Sequence, residues 1–240
     1  MPIEYNKEYI HHTEKGRAGM IRELVFGMED GMVSTLGAIT GIAAATHDPF
    51  TTVLAGLVVV SVESISMGVG SYLSSKSVLA IEERKLGEER EELKKFPKEE
   101  KQELIDMYAQ AGWTPETAEK MADEASKNSE LFLQEMALRE LKIFQGDMEE
   151  PVKNGIVMLF SYIVGGAIPL APYFFLGIFQ SIPVAIVITL IGLFALGVYT
   201  AKHSKRAWWK AGLEMLVLAS AAALVGYAVG QAVDRIWLRR

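Results

Sequence analysis

Two carboxylates lie inside stretches of sequence that are otherwise apolar enough to cross a membrane. Asp30 lies in the stretch 24–45, and Glu63 lies near the middle of the stretch 52–75. An ionised carboxylate at the centre of a bilayer costs at least about 2.5–3.5 kcal/mol, so such a group normally faces a cavity, a partner or a transported ion. Met67 follows Glu63 by four residues and shares its helical face. A carboxylate with a thioether predicts a binding site for a borderline divalent metal such as Fe²⁺. A buried acid that only bonds to serine or to the backbone is the open alternative for both carboxylates, and a place at the membrane interface is a further alternative for Asp30.

A second set of candidate ligands lies in an acidic segment that follows the second apolar stretch. Its acids recur at spacings of three or four residues, which place them on shared helical faces. Carboxylate oxygen suits hard and borderline divalent cations, and a methionine sulfur shifts the preference towards softer ones. Spacing alone fits a solvated helix with salt bridges better than a metal site. The spaced pairs are Glu89 and Glu92, Glu100 and Glu103, and Met136 and Glu140.

Composition excludes several kinds of chemistry. The chain has no Cys, which excludes disulfides, zinc fingers and thiol catalysis. None of its four His lies between residues 78 and 150, so the Glu-x-x-His pattern of ferritin-like di-iron proteins is absent there. The same residues hold 20 of the 30 Asp and Glu against 11 Lys and Arg, the opposite of a nucleic-acid footprint. We therefore predict no enzyme activity, a ferroxidase included, no prosthetic group and no nucleic-acid partner.

The candidate ligands must be positioned by helices, most of them in a membrane. A helix needs about 20 mostly apolar residues to cross the hydrocarbon core. Glycines recur at four-residue spacing in these regions, which lets helices approach closely, either within one chain or at a dimer seam. Such pairs are Gly27 and Gly31, Gly37 and Gly41, and Gly226 and Gly230. Five stretches are long and apolar enough to span: 24–45, 52–75, about 154–174, about 182–200 and about 212–233.

The acidic segment between the second and third spans is also predicted to be helical. The pattern indicates helices over about 76–95 and 98–111, a third from Pro115 and a fourth over about 129–145. Thr114 is the predicted N-cap of the third, with Pro115 at its first position. No long β-branched alternation is present, which favours an all-α fold. The predicted domains are a cytoplasmic arm 1–23, transmembrane helices 1–2 over 24–75, a cytoplasmic helical metal-binding domain over 76–150, and transmembrane helices 3–5 over 151–240.

The distribution of Lys and Arg predicts the orientation of this integral membrane protein. The N-terminal arm and the 201–210 loop are rich in both, whereas the loops 46–51 and 175–181 contain neither. Because positively charged loops stay in the cytoplasm, the arm, the acidic segment and the 201–210 loop are predicted to be cytoplasmic. Five spans then place the C-terminus outside, and three arginines disagree with that placement: Arg235, Arg239 and Arg240.

The spans and the acidic segment together resemble the vacuolar iron transporter family, which includes the yeast vacuolar iron and manganese carrier. The likeness rests on GMEDGMVSTLGAITG at 27–41, SISMGVGSYLSSKS at 64–77 and FPKEEKQELIDMYAQAGWTPE at 96–116, and it covers nearly the whole chain. It implies a homodimer that exports Fe²⁺ from the cytosol, as family members do, some of them in exchange for protons. It also implies a membrane path through Asp30 and Met67.

In the acidic segment, the resemblance implies a metal site with six ligands. Two positions depart from the family pattern. A second family methionine falls on Ala137, and an acid of many relatives falls near Val59, one turn before Glu63. We infer that Glu63 replaces that acid, and a different coupling ion or metal is the open alternative. These departures bear on selectivity rather than on transport. The implied ligands are Glu89, Glu92, Glu100, Glu103, Met136 and Glu140.

We therefore expect a divalent-metal transporter that exports Fe²⁺, with Mn²⁺ as the other candidate, by proton antiport. Its expected partners are divalent metal ions, protons, the lipid bilayer and a second copy of itself. The alternative is a membrane-anchored metal-binding or storage protein that does not transport. Asp30 and Glu63 disfavour that alternative, because an anchor gains nothing from acids inside its spans. The Lys- and Glu-rich, Cys-free acidic segment favours a prokaryotic cell membrane, with a vacuolar membrane expected in a eukaryote.

Overall fold

The computed structural model describes residues 17–144, 148–204, 206–217 and 220, and all regular structure in this part of the chain is helical. This confirms the all-α prediction. The first five helices are α1 (Arg17–Thr46), α2 (Pro49–Lys95), α3 (Pro97–Gln110), α4 (Pro115–Ala125) and α5 (Ser129–Arg139). They are followed by α6 (Pro151–Leu170), a 3₁₀ turn (Ala171–Phe174) and α7 (Ile178–Ser204). Residues 208–217 are also helical.

Proline and polar caps set several helix starts. Pro97 and Pro115 stand at the first turns of α3 and α4, where a missing N–H costs nothing. Thr114 caps α4 by accepting a hydrogen bond from the Thr117 N–H, as the sequence predicts. Asn128 caps α5 by accepting from the N–H groups of Glu130 and Leu131. These local signals fix where the short helices of the acidic segment begin.

The end of α5 differs from the prediction. The predicted helix runs to about residue 145, whereas α5 ends at Arg139. Lys142 adopts the left-handed conformation, with φ at 58°, and the Ile143 N–H bonds back to the Ala137 carbonyl. Left-handed residues commonly end helices, but the residue is usually Gly. A lysine in that role left no signal in the sequence.

The chain forms two compact units. The acidic unit contains Ser74–Glu150, and the apolar unit contains Gly19–Leu73 together with the chain from Pro151 onward. Helix α2 contributes its first half to the apolar unit and its second half to the acidic unit. Each unit has its own packing.

The core of the acidic unit is small and built by α3, α4 and α5. Tyr108 of α3 is nearly fully buried, and its hydroxyl donates to the Glu135 carboxylate at 3.0 Å. The Arg139 guanidinium bonds to the same carboxylate and lies over the Tyr108 ring, 4.3 Å from its centroid. This network ties α3 to the end of α5. The buried residues of the core are Leu104, Tyr108, Ala118, Ala122, Ala125, Phe132 and Met136.

Close backbone approach characterises the apolar unit. A Cβ added to Gly31 of α1 would lie 2.4 Å from the Tyr162 carbonyl oxygen of α6, and one added to Gly27 would lie 2.8 Å from the Ser161 Cβ. Gly27 and Gly31 therefore pack within one chain. Gly37 and Gly41 face open space, and Gly226 and Gly230 lie outside the described residues.

Three of the described helical segments are long and apolar enough to span a membrane: α2, Pro151–Phe174 and Ile178–Lys202. Helix α1 has the length, with 30 residues, but it carries Arg22, Glu23, Glu29 and Asp30. Most of the predicted fifth span, 212–233, lies outside the described residues. The count of five spans therefore stays a prediction, as does the cytoplasmic placement of the acidic segment.

Candidate functional site

Three glutamates from three helices meet in the acidic unit, and we call them the carboxylate cluster: Glu89, Glu100 and Glu140. Each offers a carboxylate oxygen, and these oxygens all lie within 4.8 Å of one another. Glu89 lies near the end of α2, and the turn at Phe96 and Pro97 reverses the chain so that Glu100 in the first turn of α3 returns beside it. Glu140 is the C-cap residue of α5, so the early end of that helix puts its carboxylate at the cluster.

The carboxylate cluster is largely shielded from water. Glu89 is 2% exposed and Glu100 is 8% exposed, whereas Glu140 is exposed. The Glu89 Oε1 and Glu100 Oε2 atoms are buried and accept no hydrogen bond. In the described part of the chain, no Lys or Arg pairs with any of the three. Buried carboxylate oxygens without partners are costly. A bound cation would supply the positive charge that these oxygens lack.

Proton affinity responds to the same geometry. Burial, and then the nearby Glu140 and Glu100, raise the pKa of Glu89 to about 8. Burial and the negative charge of Glu103 raise the pKa of both Glu100 and Glu140. A bound cation acts in the opposite sense, since it favours the ionised carboxylates. Protons and a divalent cation would therefore compete for this cluster.

The other predicted ligands of the acidic unit lie at different depths. Glu92 and Glu103 are exposed, yet both are near enough to raise the pKa of Glu100 by repulsion. Met136 is fully buried, in the core with Tyr108 and Phe132. The structure thus brings the five predicted glutamates into one neighbourhood and places Met136 in the hydrophobic core. Their roles as ligands remain predictions.

The second candidate site lies in the apolar unit, where α1 and α2 run antiparallel. The Ser71 hydroxyl of α2 donates to the Glu23 Oε2 of α1 at 2.7 Å, which fixes the register of the two helices. Asp30 lies seven residues, or about 10 Å, further along α1 from Glu23. Seven residues back along α2 from Ser71 lies Ser64. Asp30 is therefore level with the part of α2 between Glu63 and Met67.

Several polar groups surround Asp30 in this otherwise apolar unit. Asp30 is partly buried and within electrostatic range of Glu63. Met67 is half-buried, whereas Glu63 is exposed on the outside of the single chain. Ser34, one turn beyond Asp30, lies 2.5 Å from the Tyr162 hydroxyl of α6. Two carboxylates, a thioether and hydroxyl oxygens form a donor set suited to a divalent cation of intermediate softness. We call these five residues the membrane site: Asp30, Ser34, Glu63, Met67 and Tyr162.

Tyr162 of the membrane site was not among the predicted residues. Its only sequence signal is a polar ring tip in the apolar run LFSYIVGG at 159–166, a pattern that also fits a tyrosine at a membrane interface. Helix α6 places it instead in full burial against α1.

Comparisons with known proteins cover nearly the whole chain. The model of the VIT family matches residues 21–231. Vacuolar iron transporter 1 of Arabidopsis thaliana is 31% identical over 206 residues, which cover 84% of this chain and 82% of that protein. Vacuolar iron transporter 1 of Oryza sativa subsp. japonica is 26% identical over 227 residues, or 93% and 90% of the two chains. The vacuolar iron transporter of Toxoplasma gondii is 29% identical over 230 residues, or 92% and 76%.

Proposed function

The chain belongs to the VIT family, and from this premise we propose that it transports Fe²⁺ out of the cytosol across a membrane. The observation that carries the proposal is the pair Asp30 and Glu63, two carboxylates within electrostatic range of each other in an apolar unit. Two like charges at the depth of a membrane are costly unless a cation binds between them. The relatives named as iron transporters support Fe²⁺ as the cargo, and Mn²⁺ is the second cargo because it accepts similar ligands.

The acidic unit would collect the cation in the cytosol. Its excess of acids raises the local concentration of cations. The carboxylate cluster would hold one ion, with Glu92, Glu103 and Met136 as the further ligands that we propose. Sharing an ion among several carboxylates of raised pKa keeps it releasable, because protons compete for the same oxygens.

A second copy of the chain would complete the membrane site. Glu63 is exposed on α2, and Ser66 and Gly70, which share its helical face, are exposed as well. That face cannot simply meet lipid, since an ionised acid in hydrocarbon is costly. A homodimer that joins along α2 would cover Glu63 and bring two sets of Asp30, Glu63 and Met67 together.

Proton antiport follows from the same carboxylates. When Asp30 or Glu63 releases its cation in apolar surroundings, a proton is the available replacement for the lost charge. Export of metal would then be linked to import of protons. We place the protein in the cell membrane of a prokaryote, or in a vacuolar membrane in a eukaryote, with its Lys- and Glu-rich acidic unit in the cytoplasm.

Metal flux in liposomes tests the proposal. The full chain is reconstituted under anaerobic conditions with a trapped Fe²⁺-sensitive dye, as wild type, Asp30→Asn and Met67→Ala. Glu29→Gln is the matched control, because Glu29 is the partly buried acid next to Asp30 on α1. We expect both site variants to lose most of the flux and the control to keep it. Unchanged flux in Asp30→Asn and Met67→Ala, from folded protein, would sink the proposal.

A further inference from the structure

Each glutamate of the carboxylate cluster has a basic residue directly beside it in the sequence, and we call these three residues the flanking cations. An Arg or Lys side chain pairs readily with a carboxylate, and the Arg guanidinium can do so through two parallel hydrogen bonds. The buried acids of the cluster, which lack a positive charge, are therefore surrounded by side chains that could supply one. The flanking cations are Arg90 beside Glu89, Lys101 beside Glu100, and Arg139 beside Glu140.

All three flanking cations form ion pairs with acids outside the cluster, and we call those acids the holding acids. The Arg139 Nε lies 3.0 Å from the Glu135 Oε2, and the Arg90 Nη2 lies 3.6 Å from the Glu130 Oε1. Lys101 pairs with Asp123. The same arrangement at all three positions leaves the cluster oxygens free of the chain's own cations. The holding acids are Asp123, Glu130 and Glu135.

The pair of Glu135 and Arg139 is the most firmly built of the three. Their side chains are 26% and 25% exposed, whereas those of Glu130 and Arg90 are 71% and 56% exposed. The buried Tyr108 hydroxyl donates to the same Glu135 oxygen at 3.0 Å, and the Arg139 guanidinium lies over the Tyr108 ring. Exposed ion pairs contribute little, but this one is supported by a second hydrogen bond and a cation–π contact.

The geometry of α5 shows why Arg139 would otherwise reach the cluster. Glu135 and Arg139 are four residues apart and share one face of the helix, and Met136 and Glu140 share the next face. Successive positions on a helix differ by about 100°, so Arg139 lies on the face adjacent to Glu140. Glu140 is also the exposed member of the cluster. A released Arg139 side chain could therefore enter the cluster at Glu140.

We propose that the holding acids keep the carboxylate cluster open for a divalent cation, and that Glu135 contributes most by holding the Arg139 guanidinium away from Glu140. The inference rests on the cation site proposed above. Without Glu135, a divalent cation would have to displace a guanidinium from the cluster before it could bind. Glu135 is thus a positioning residue that contacts no bound cation itself, and Tyr108 orients its carboxylate.

Glu135→Gln should weaken cation binding, and a second change at Arg139 should restore it. The glutamine keeps an oxygen for the Tyr108 hydroxyl but loses the charge that holds Arg139. We expect the Kd for Mn²⁺ to rise about tenfold, in keeping with one bond between charged groups that the metal must break. Adding Arg139→Gln removes the competing guanidinium and should return the Kd to within about twofold of wild type.

Two controls separate this effect from a simple loss of negative charge. If only net charge mattered, the two changes would act independently, and Arg139→Gln alone would tighten binding as much as it restores binding in the double variant. Because Arg139 is already held away, we expect Arg139→Gln alone to change the Kd less than about twofold. Glu116→Gln is the matched control for Glu135→Gln. Glu116 pairs with Lys120 at the same four-residue spacing, and neither residue adjoins a cluster glutamate, so the Kd should not change.

Binding of Mn²⁺ to the full chain in detergent at one fixed pH gives the Kd of each variant, with free Mn²⁺ followed by electron paramagnetic resonance. All proteins carry Asp30→Asn so that the membrane site contributes little. Weaker binding in Glu135→Gln that Arg139→Gln reverses is the expected result. An unchanged Kd in Glu135→Gln, or a weakening that persists in the double variant, overturns the inference while the proposed cation site stands.

The pair of Lys101 and Asp123 gives the same comparison if Glu135→Gln does not fold. Asp123→Asn should raise the Kd for Mn²⁺ about threefold, since this pair is more exposed, and Lys101→Gln should reverse that rise. Failure of either change to act in this way then overturns the inference. A protein with all three holding acids intact that binds no Mn²⁺ removes the proposed cation site, and this inference with it.

Discussion

Replacing Glu89 by Gln should remove most of the pH dependence of cation binding by the carboxylate cluster. Glu89 is 2% exposed and its pKa is raised to about 8 by burial and by Glu140 and Glu100. At pH 7 about one carboxyl in ten is then ionised, and at pH 6 about one in a hundred. A cation must displace that proton, so binding should weaken about tenfold, or about 1.4 kcal/mol, for each pH unit below 8.

The raised pKa of Glu100 and of Glu140 acts in the same direction and steepens the wild-type slope. A glutamine at residue 89 keeps an oxygen ligand but has no proton to lose. The variant should therefore bind more weakly than wild type at pH 8, approach it at pH 6, and vary less with pH between them.

Binding of Mn²⁺ to the full chain in detergent measures this, with free Mn²⁺ followed by electron paramagnetic resonance. Both proteins carry Asp30→Asn so that the membrane site contributes little. Glu116→Gln is the control, because Glu116 is an exposed acid of the same unit that pairs with Lys120. Equal affinity at pH 6 and pH 8 in the protein that keeps Glu89, or an equally steep pH dependence in Glu89→Gln, would show that a Glu89 proton does not compete with the cation.

Three further changes test stability. Without cation, the free energy of unfolding should fall by up to about 1.4 kcal/mol per pH unit as the pH rises from 5 to 8. The folded chain keeps a Glu89 proton over this range, whereas the unfolded chain loses it near the ordinary pKa of 4.5. Thermal unfolding in the presence of a chelator measures this, and a Tm that rises with pH contradicts it. Gly31→Ala should cost about 1–3 kcal/mol through its clash with the Tyr162 carbonyl, whereas Gly37→Ala, in open space, should cost nothing; equal Tm values for the two in detergent would speak against this packing. Asn128→Ala should cost about 1 kcal/mol by removing the N-cap of α5, and unchanged urea unfolding would show that the cap is dispensable.

Local sequence signals were sufficient for the short helices. The break at Phe96 and the cap at Thr114 with Pro115 were predicted and are observed. The end of α5 was not, because it depends on Lys142 in a left-handed conformation rather than on a glycine. Helix α1 also begins earlier than the apolar stretch, at Arg17, since charged residues extend a helix beyond its apolar part without loss of propensity.

The candidate sites divide in a similar way. Spacing places Glu89 with Glu92, and Glu100 with Glu103, on shared faces, but it does not say which member of each pair turns inward. Packing of α3 against α2 decides this by burying Glu89 and Glu100 and leaving the other two exposed.

Tyr162 could not be found by pattern at all. Its position depends on the close approach of α1 and α6 at Gly31 and Gly166, which joins residues 128 positions apart. No local spacing records such a contact.

The most direct test of transport is Fe²⁺ uptake into liposomes that contain the wild-type chain, with one dye for metal and another for pH inside. Uptake is measured under two conditions, one with the interior more acidic than the outside and one with equal pH on both sides. Proton-coupled transport predicts saturable uptake that is faster with an acidic interior and is accompanied by a rise in internal pH. Folded protein that binds Fe²⁺ yet admits neither Fe²⁺ nor Mn²⁺ under either condition would contradict it.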